Sequence, residues 1–144
     1  MLVVADASVL VAELLGERGR ALIADPRLRV VVAEDQWSEI RHELGRRVAL
    51  LVAHARMTDE QAARIRQAIE SLVDTRVIDV IPRLVYEHME ETARRRVPRD
   101  PDDWSPVALA LSVNAGSLTG DNDFLGCGCL TWTVDALREE LGQR

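Results

Sequence analysis

The chain has 144 residues, 47% of them hydrophobic and 29% charged, the size and make-up of one globular domain. All 18 basic residues are arginine, set against 24 acids for a formal net charge of −6. That balance disfavours broad attraction to nucleic acid and excludes lysine-dependent chemistry such as the P-loop or the Schiff base.

The elements alternate along the chain. Residues 2–5 (LVVA) read as a short, fully buried strand of a parallel sheet. Residues 8–25 have helical periodicity, with Ala12, Leu15, Leu22 and Ile23 on the apolar side and a break near Gly16 to Gly19. A second strand follows at 28–34 (LRVVVAE). A long helix is expected from Gln36 to about Met57, with Ile40, Leu44, Val48 and Leu51 along one face. Thr58 stands three residues before Gln61, a capping-box spacing that opens another helix over 58–74. RVIDVIP (76–82) is a third strand, stopped by Pro82. Helices then cover 84–96 and 104–114. A fourth strand, GSLT (116–119), a possible fifth, CLTW (129–132), and a closing helix from 133 complete the pattern.

Strands alternating with helices imply an α/β sandwich around a mainly parallel sheet, of four or five strands here. No linker, repeat or low-complexity stretch interrupts residues 1–144, so one domain is expected. No apolar run approaches the roughly 20 residues of a membrane span, and MLVVAD lacks the basic start of a secretory signal. Two cysteines, Cys127 and Cys129, sit too close in CGC for an ordinary staple and read as small strand residues. The cytoplasm is the expected compartment.

Against this frame the acids stand out. In open parallel sheets ligands bind beyond the carboxyl ends of the strands. Asp6 directly follows the first strand, and Asp121 and Asp123 follow the fourth. Asp103 starts the helix leading into the fourth strand, and Glu39 lies in the first turns of the helix after the second. Each acid also has a local reading. Asp6 suits a helix N-cap, Asp102 and Asp103 complement a helix dipole, Asp121 and Asp123 suit a turn, and Glu39 suits a solvated helix face. Taken together the local readings fare worse, because caps have no need to gather at one sheet edge. Clustered carboxylates raise one another's pKa unless a cation sits among them. Oxygen-only ligands suit Mg²⁺ or Mn²⁺, ions that serve phosphodiester hydrolysis.

Four segments carry a family resemblance: VVADASVLV, SEIRHEL, DPDDWSPVALAL and TGDNDF. In that order, over most of the chain, they resemble the PIN domain and, within it, the VapC-type toxin ribonucleases. The resemblance implies a three-layer α/β/α sandwich and metal-dependent endoribonuclease activity. Asp6, Glu39, Asp103 and Asp121 would hold Mg²⁺ or Mn²⁺, and Asp123 would coordinate the ion or orient the attacking water. Ser8 and Thr119 are expected to support the carboxylates by hydrogen bonds, with Glu43 a helper or an alternative ligand on the Glu39 helix. An acidic pocket needs nearby cations to receive a phosphate backbone. ARRRVPR supplies Arg94, Arg95, Arg96 and Arg99 for that role, although a helix end rich in arginine also complements its own dipole. With 3% aromatic residues, stacking on single-stranded bases is a minor source of affinity and a folded RNA is the expected substrate. By family analogy a small antitoxin and a homodimer are expected partners. The alternatives are a non-catalytic PIN-like module that binds RNA or protein, and a housekeeping RNA-processing nuclease.

Other signals fail on particular residues. Glu39–His42 has a di-iron spacing but no second copy or helical bundle. His54 and His88 lack a nucleophilic or acidic companion. The haloacid-dehalogenase and receiver folds need a lysine, and no G-x-G-x-x-G follows the first strand.

Overall fold

The computed structural model describes residues 1–120 and 128–142, and its five strands form one sheet. They are β1 (Leu2–Ala5), β2 (Arg29–Ala33), β3 (Ile78–Ile81), β4 (Gly116–Leu118) and β5 (Thr131–Trp132), in the order β3-β2-β1-β4-β5. Every neighbouring pair is parallel, with Val3 opposite Val30 and Gly116, and Val32 opposite Val80. The helices are α1 (Ala7–Leu15), α2 (Glu17–Ile23), α3 (Glu34–Ala53), α4 (Asp59–Asp74), α5 (Arg83–Tyr86), α6 (Glu90–Arg96), α7 (Trp104–Val113) and α8 (Val134–Glu140). Single 3-10 turns at Glu87–Met89 and Pro101–Asp103 precede α6 and α7.

Strand alternation divides the core into two layers. Val3, Ala5, Val30 and Val32 face one side, where they pack with Leu10 and Leu14 of α1, Leu22 of α2, Ile40 and Leu44 of α3 and Leu137 of α8. Val4, Val31 and Ala33 face the other side and meet Tyr86, Ala93, Trp104, Val107 and Leu109 from the α5–α7 segment. Central strands buried on both faces explain why LVVA and RVVVA are continuous apolar runs instead of alternating ones. The result is the three-layer α/β/α sandwich expected from the sequence.

Local chemistry sets most of the boundaries. Thr58 Oγ1 accepts the Gln61 amide at 3.1 Å and Gln61 Oε1 accepts the Thr58 amide at 2.9 Å, the reciprocal pair that starts α4. Helix α3 begins two residues earlier than expected, because Glu34 and Asp35 occupy its first turn at the positive end of the helix dipole. It also stops earlier, at Ala53, since the chain turns back at Ala55, whose φ is 54°. The apolar side of α1 differs from expectation: Leu10, Val11 and Leu14 are buried while Ala12 faces solvent. The break between α1 and α2 is at Gly16, in extended conformation. Gly19 lies inside α2, against the Glu13 backbone, where a Cβ has no room. The helix expected over 84–96 is divided at Glu87–Met89. The buried Tyr86 is held there, its Oη accepting the Asp35 amide at 3.3 Å. Cys129 is half-buried just ahead of β5, and Cys127 lies outside the described residues. No helix among the described residues is long and apolar enough to cross a membrane.

Candidate active site at the carboxyl edge of the sheet

Parallel pairing puts the carboxyl ends of β1, β2 and β4 at one edge. The residues that leave this edge are Asp6 after β1, the first turns of α3 after β2, and Thr119 after β4. Helix α7 precedes β4 and packs on β1 and β2, so its first turn, with Asp103 at the N-cap position, belongs to the same edge.

Asp6 is the most informative residue. It is 7% exposed and stands at the N-cap position of α1 with extended backbone (φ −78°, ψ 149°), yet its side chain makes no capping hydrogen bond. A capping aspartate accepts the amide of the second or third helical residue. Here Asp6 Oδ2 instead accepts the Ser8 hydroxyl at 2.9 Å and the Thr119 hydroxyl at 3.4 Å. Burying a carboxylate is costly unless it is well supplied with donors or cations. Two hydroxyls drawn from α1 and from the end of β4 orient this one. The local N-cap reading of Asp6 therefore does not describe what its carboxylate does.

The buried Gln36, in the first turn of α3, is a residue that motif reasoning passed over. Its Oε1 accepts the Ala7 amide at 2.9 Å, immediately beside Asp6. A signal was present, because Gln36 heads the stripe Ile40, Leu44 and Val48 at four-residue spacing and is buried with them. A polar residue in an apolar stripe has to find a hydrogen bond.

The remaining candidates have varied surroundings. Glu39 is exposed on α3, one turn past Gln36. Asp103 is half-buried and makes no side-chain cap to α7, while Asp102 is exposed. Asp121 and Asp123 lie outside the described residues. Glu43 is committed to α3 itself: Arg46 reaches its carboxylate at 2.6 Å and Arg47 at 3.1 Å. Hydrogen bonds from Arg46 and then Arg47 hold its carboxyl at a pKa of about 2.

Arg94 lies 3.0 Å from Glu90 and 3.5 Å from Asp102, and its guanidinium stacks over Trp104 at 5.5 Å from the ring centroid. Arg83, which the sequence reading did not single out, stacks on the same ring at 5.2 Å and pairs with Asp35 at 3.2 Å. Tyr86 completes the enclosure of Trp104 at 5.8 Å, and burial pushes the Tyr86 phenol above its ordinary pKa. Arg95 is largely exposed, 3.8 Å from Glu91. Arg96 occupies the space where a Cβ on Gly128 would stand, and Gly128 has φ +89°. Arg99 is exposed on the segment that leads to Asp103.

The donors at this edge are carboxylates and hydroxyls, the oxygen chemistry that a hard divalent cation takes. Among the described residues no three Asp, Glu, His or Cys side chains converge as a metal-binding group. A cleft between α3 and α4, lined by Trp37, Arg41, Leu44, Val48, Ile69 and Val73, contains none of Asp6, Glu39 and Asp103.

The sheet order is that of an all-parallel α/β fold with loops gathered at the carboxyl edge. The PIN domain matches residues 4–142, and the chain belongs to the PIN-domain family. PIN domains are in general nucleases, hydrolases that typically use divalent cations. No curated protein matches the chain.

Proposed function

We propose that the protein is a metal-dependent endoribonuclease and the toxin of a toxin–antitoxin pair. The observation that carries the nuclease reading is Asp6: a buried carboxylate at a helix N-cap position that does not cap, and is oriented by Ser8 and Thr119. A purely structural aspartate there would accept α1 amides. Membership of the PIN-domain family supports the same reading.

In this reading Asp6, Glu39, Asp103 and Asp121 hold one or more Mg²⁺ or Mn²⁺ ions. A divalent cation held by these residues would supply positive charge and favour attack by water on the phosphate. Ser8 and Thr119 keep the Asp6 carboxylate in one orientation, the kind of support that such ligands need. Asp123 would coordinate the ion or orient the attacking water. Arg94, Arg95, Arg96 and Arg99 meet the RNA backbone on the approach to Asp103. Water adds to phosphorus, the bond to one bridging oxygen breaks, and that oxygen leaves with a proton. No covalent enzyme intermediate forms. The toxin assignment, with its antitoxin and homodimer, rests on the likeness of the four motif segments to VapC-type toxins.

The test is cleavage of a structured-RNA pool by the purified protein in Mn²⁺ or Mg²⁺, with chelator and Asp6→Asn as controls. Cutting that requires both the metal and Asp6 supports the reading. RNA binding without cutting, equal with and without Asp6, would replace it with a binding module.

A further inference from the structure

The hydrogen bond between Gln36 and Ala7 joins two parts of the chain that motif reading treats as separate. Ala7 N–H is the first amide of α1 and follows Asp6 directly, while Gln36 lies three residues before Glu39 on α3. Residues three apart on a helix are surface neighbours. One buried bond of 2.9 Å, spanning 29 residues of sequence, thus fixes the backbone of one candidate acid to the turn that carries another.

The bonds that Ser8, Thr119 and Leu118 make to Asp6 reach other elements. The Ser8 and Thr119 hydroxyls orient the Asp6 side chain, but they arise from α1 and the end of β4 and do not fix α3. The Asp6 amide is taken by the Leu118 carbonyl at 3.0 Å, which ties β1 to β4. Glu39 is exposed, and its place relative to Asp6 depends on how the first turn of α3 sits against α1. A 5%-exposed glutamine that accepts the first amide of a helix, a donor with no partner inside that helix, makes that placement discrete.

We propose that Gln36 is a positioning residue that sets the separation of Asp6 and Glu39, and through it the affinity of the site for a divalent cation. The proposal rests on the reading of Asp6 and Glu39 as metal ligands. Gln36 itself touches neither the ion nor the RNA.

The experiment measures Mn²⁺ binding by calorimetry to the full chain, to Asp6→Asn, and to Gln36→Met and Gln36→Glu, with melting temperature recorded for each. Methionine keeps the volume of glutamine and removes the acceptor. Glutamate keeps the acceptor in place. The expected result is Mn²⁺ binding that Asp6→Asn abolishes, that Gln36→Met weakens by about tenfold to a hundredfold, and that Gln36→Glu retains within a few-fold. In RNA cleavage Gln36→Met lowers kcat at saturating RNA with KM for RNA little changed, and raising Mn²⁺ recovers part of the loss. Should Gln36→Met fail to fold, Gln36→Asn, whose acceptor is too short to reach Ala7, takes its place. Binding lost in Asp6→Asn but intact in Gln36→Met would overturn the role of Gln36 alone. Binding indifferent to Asp6 would overturn the metal-site reading, and the role of Gln36 with it.

Discussion

Thr119 and Asp6 are 113 residues apart in sequence, and the Thr119 hydroxyl lies 3.4 Å from Asp6 Oδ2. Ser8, two residues from Asp6, donates to the same oxygen at 2.9 Å. The two bonds differ in length, and so in the strength expected of them. Ser8→Ala should therefore weaken cation binding and cleavage more than Thr119→Val. Losses up to the range of about tenfold to a hundredfold are typical of residues that orient a ligand. Calorimetric titration of Mn²⁺ into both variants checks the order. Equal losses, or none, would show that these hydroxyls do not set the orientation of the carboxylate.

Glu43 supplies a pH prediction with a defined sign. Its carboxyl is lowered from an ordinary value of 4.5 to about 2 by Arg46 and Arg47. The folded-state value lies below the unfolded one. The contribution of these pairs is thus fully present above pH 4.5 and is lost as pH falls toward about 2. A carboxyl-detected NMR titration should place the Glu43 midpoint well below the ordinary 4.5, and added salt should move it upward. Glu43→Gln should leave the melting temperature at neutral pH nearly unchanged, since the pair is at the surface. A Glu43 midpoint in the ordinary carboxylate range would mean that the two arginines do not hold it.

The arginines before Asp103 are expected to act through charge and not through sequence readout. Replacing Arg95 and Arg99 with glutamine should weaken RNA binding similarly for different RNAs. Each phosphate-binding arginine removed should reduce the slope of log affinity against log salt by about one. Filter binding of catalytically silenced Asp6→Asn protein across a salt series measures both quantities. An unchanged slope would remove these residues from the interface.

Trp104 follows Asp103 and is enclosed by Tyr86, Arg83 and Arg94. Trp104→Ala should cost about 3–5 kcal/mol of stability, the range for a buried aromatic replaced by alanine, as measured by urea unfolding. Thr58→Ala is the contrasting case. It removes the α4 capping box, should cost about 1 kcal/mol, and should leave cleavage untouched.

The sequence and the structure agree most closely where a short-range rule decides the outcome. The Thr58–Gln61 box, the apolar runs of β1 and β2 and the stop at Pro82 were all readable, because each depends on residues within a few positions. The positions of Asp6 directly after β1 and of Asp103 at the start of α7 were readable too, since they follow from the alternation of strands and helices. Gln36 was not singled out, because its partner is 29 residues away and its burial depends on how α3 packs against α1. The division of the 84–96 helix escaped for the same reason: Tyr86 is drawn into the core by Trp104 and Asp35, which local periodicity does not register. Arg83 went unremarked because its stacking on Trp104 joins segments about twenty residues apart.

The position of β1 in the sheet has a consequence for synthesis. Within this domain the first strand made is the central one, flanked by β2 on one side and by β4, residues Gly116–Leu118, on the other. Asp6 therefore gains its Thr119 partner only after β2, β3 and β4 have been made. Until β4 is made, β1 is paired on one side alone and the Asp6 carboxylate lacks the Thr119 hydroxyl.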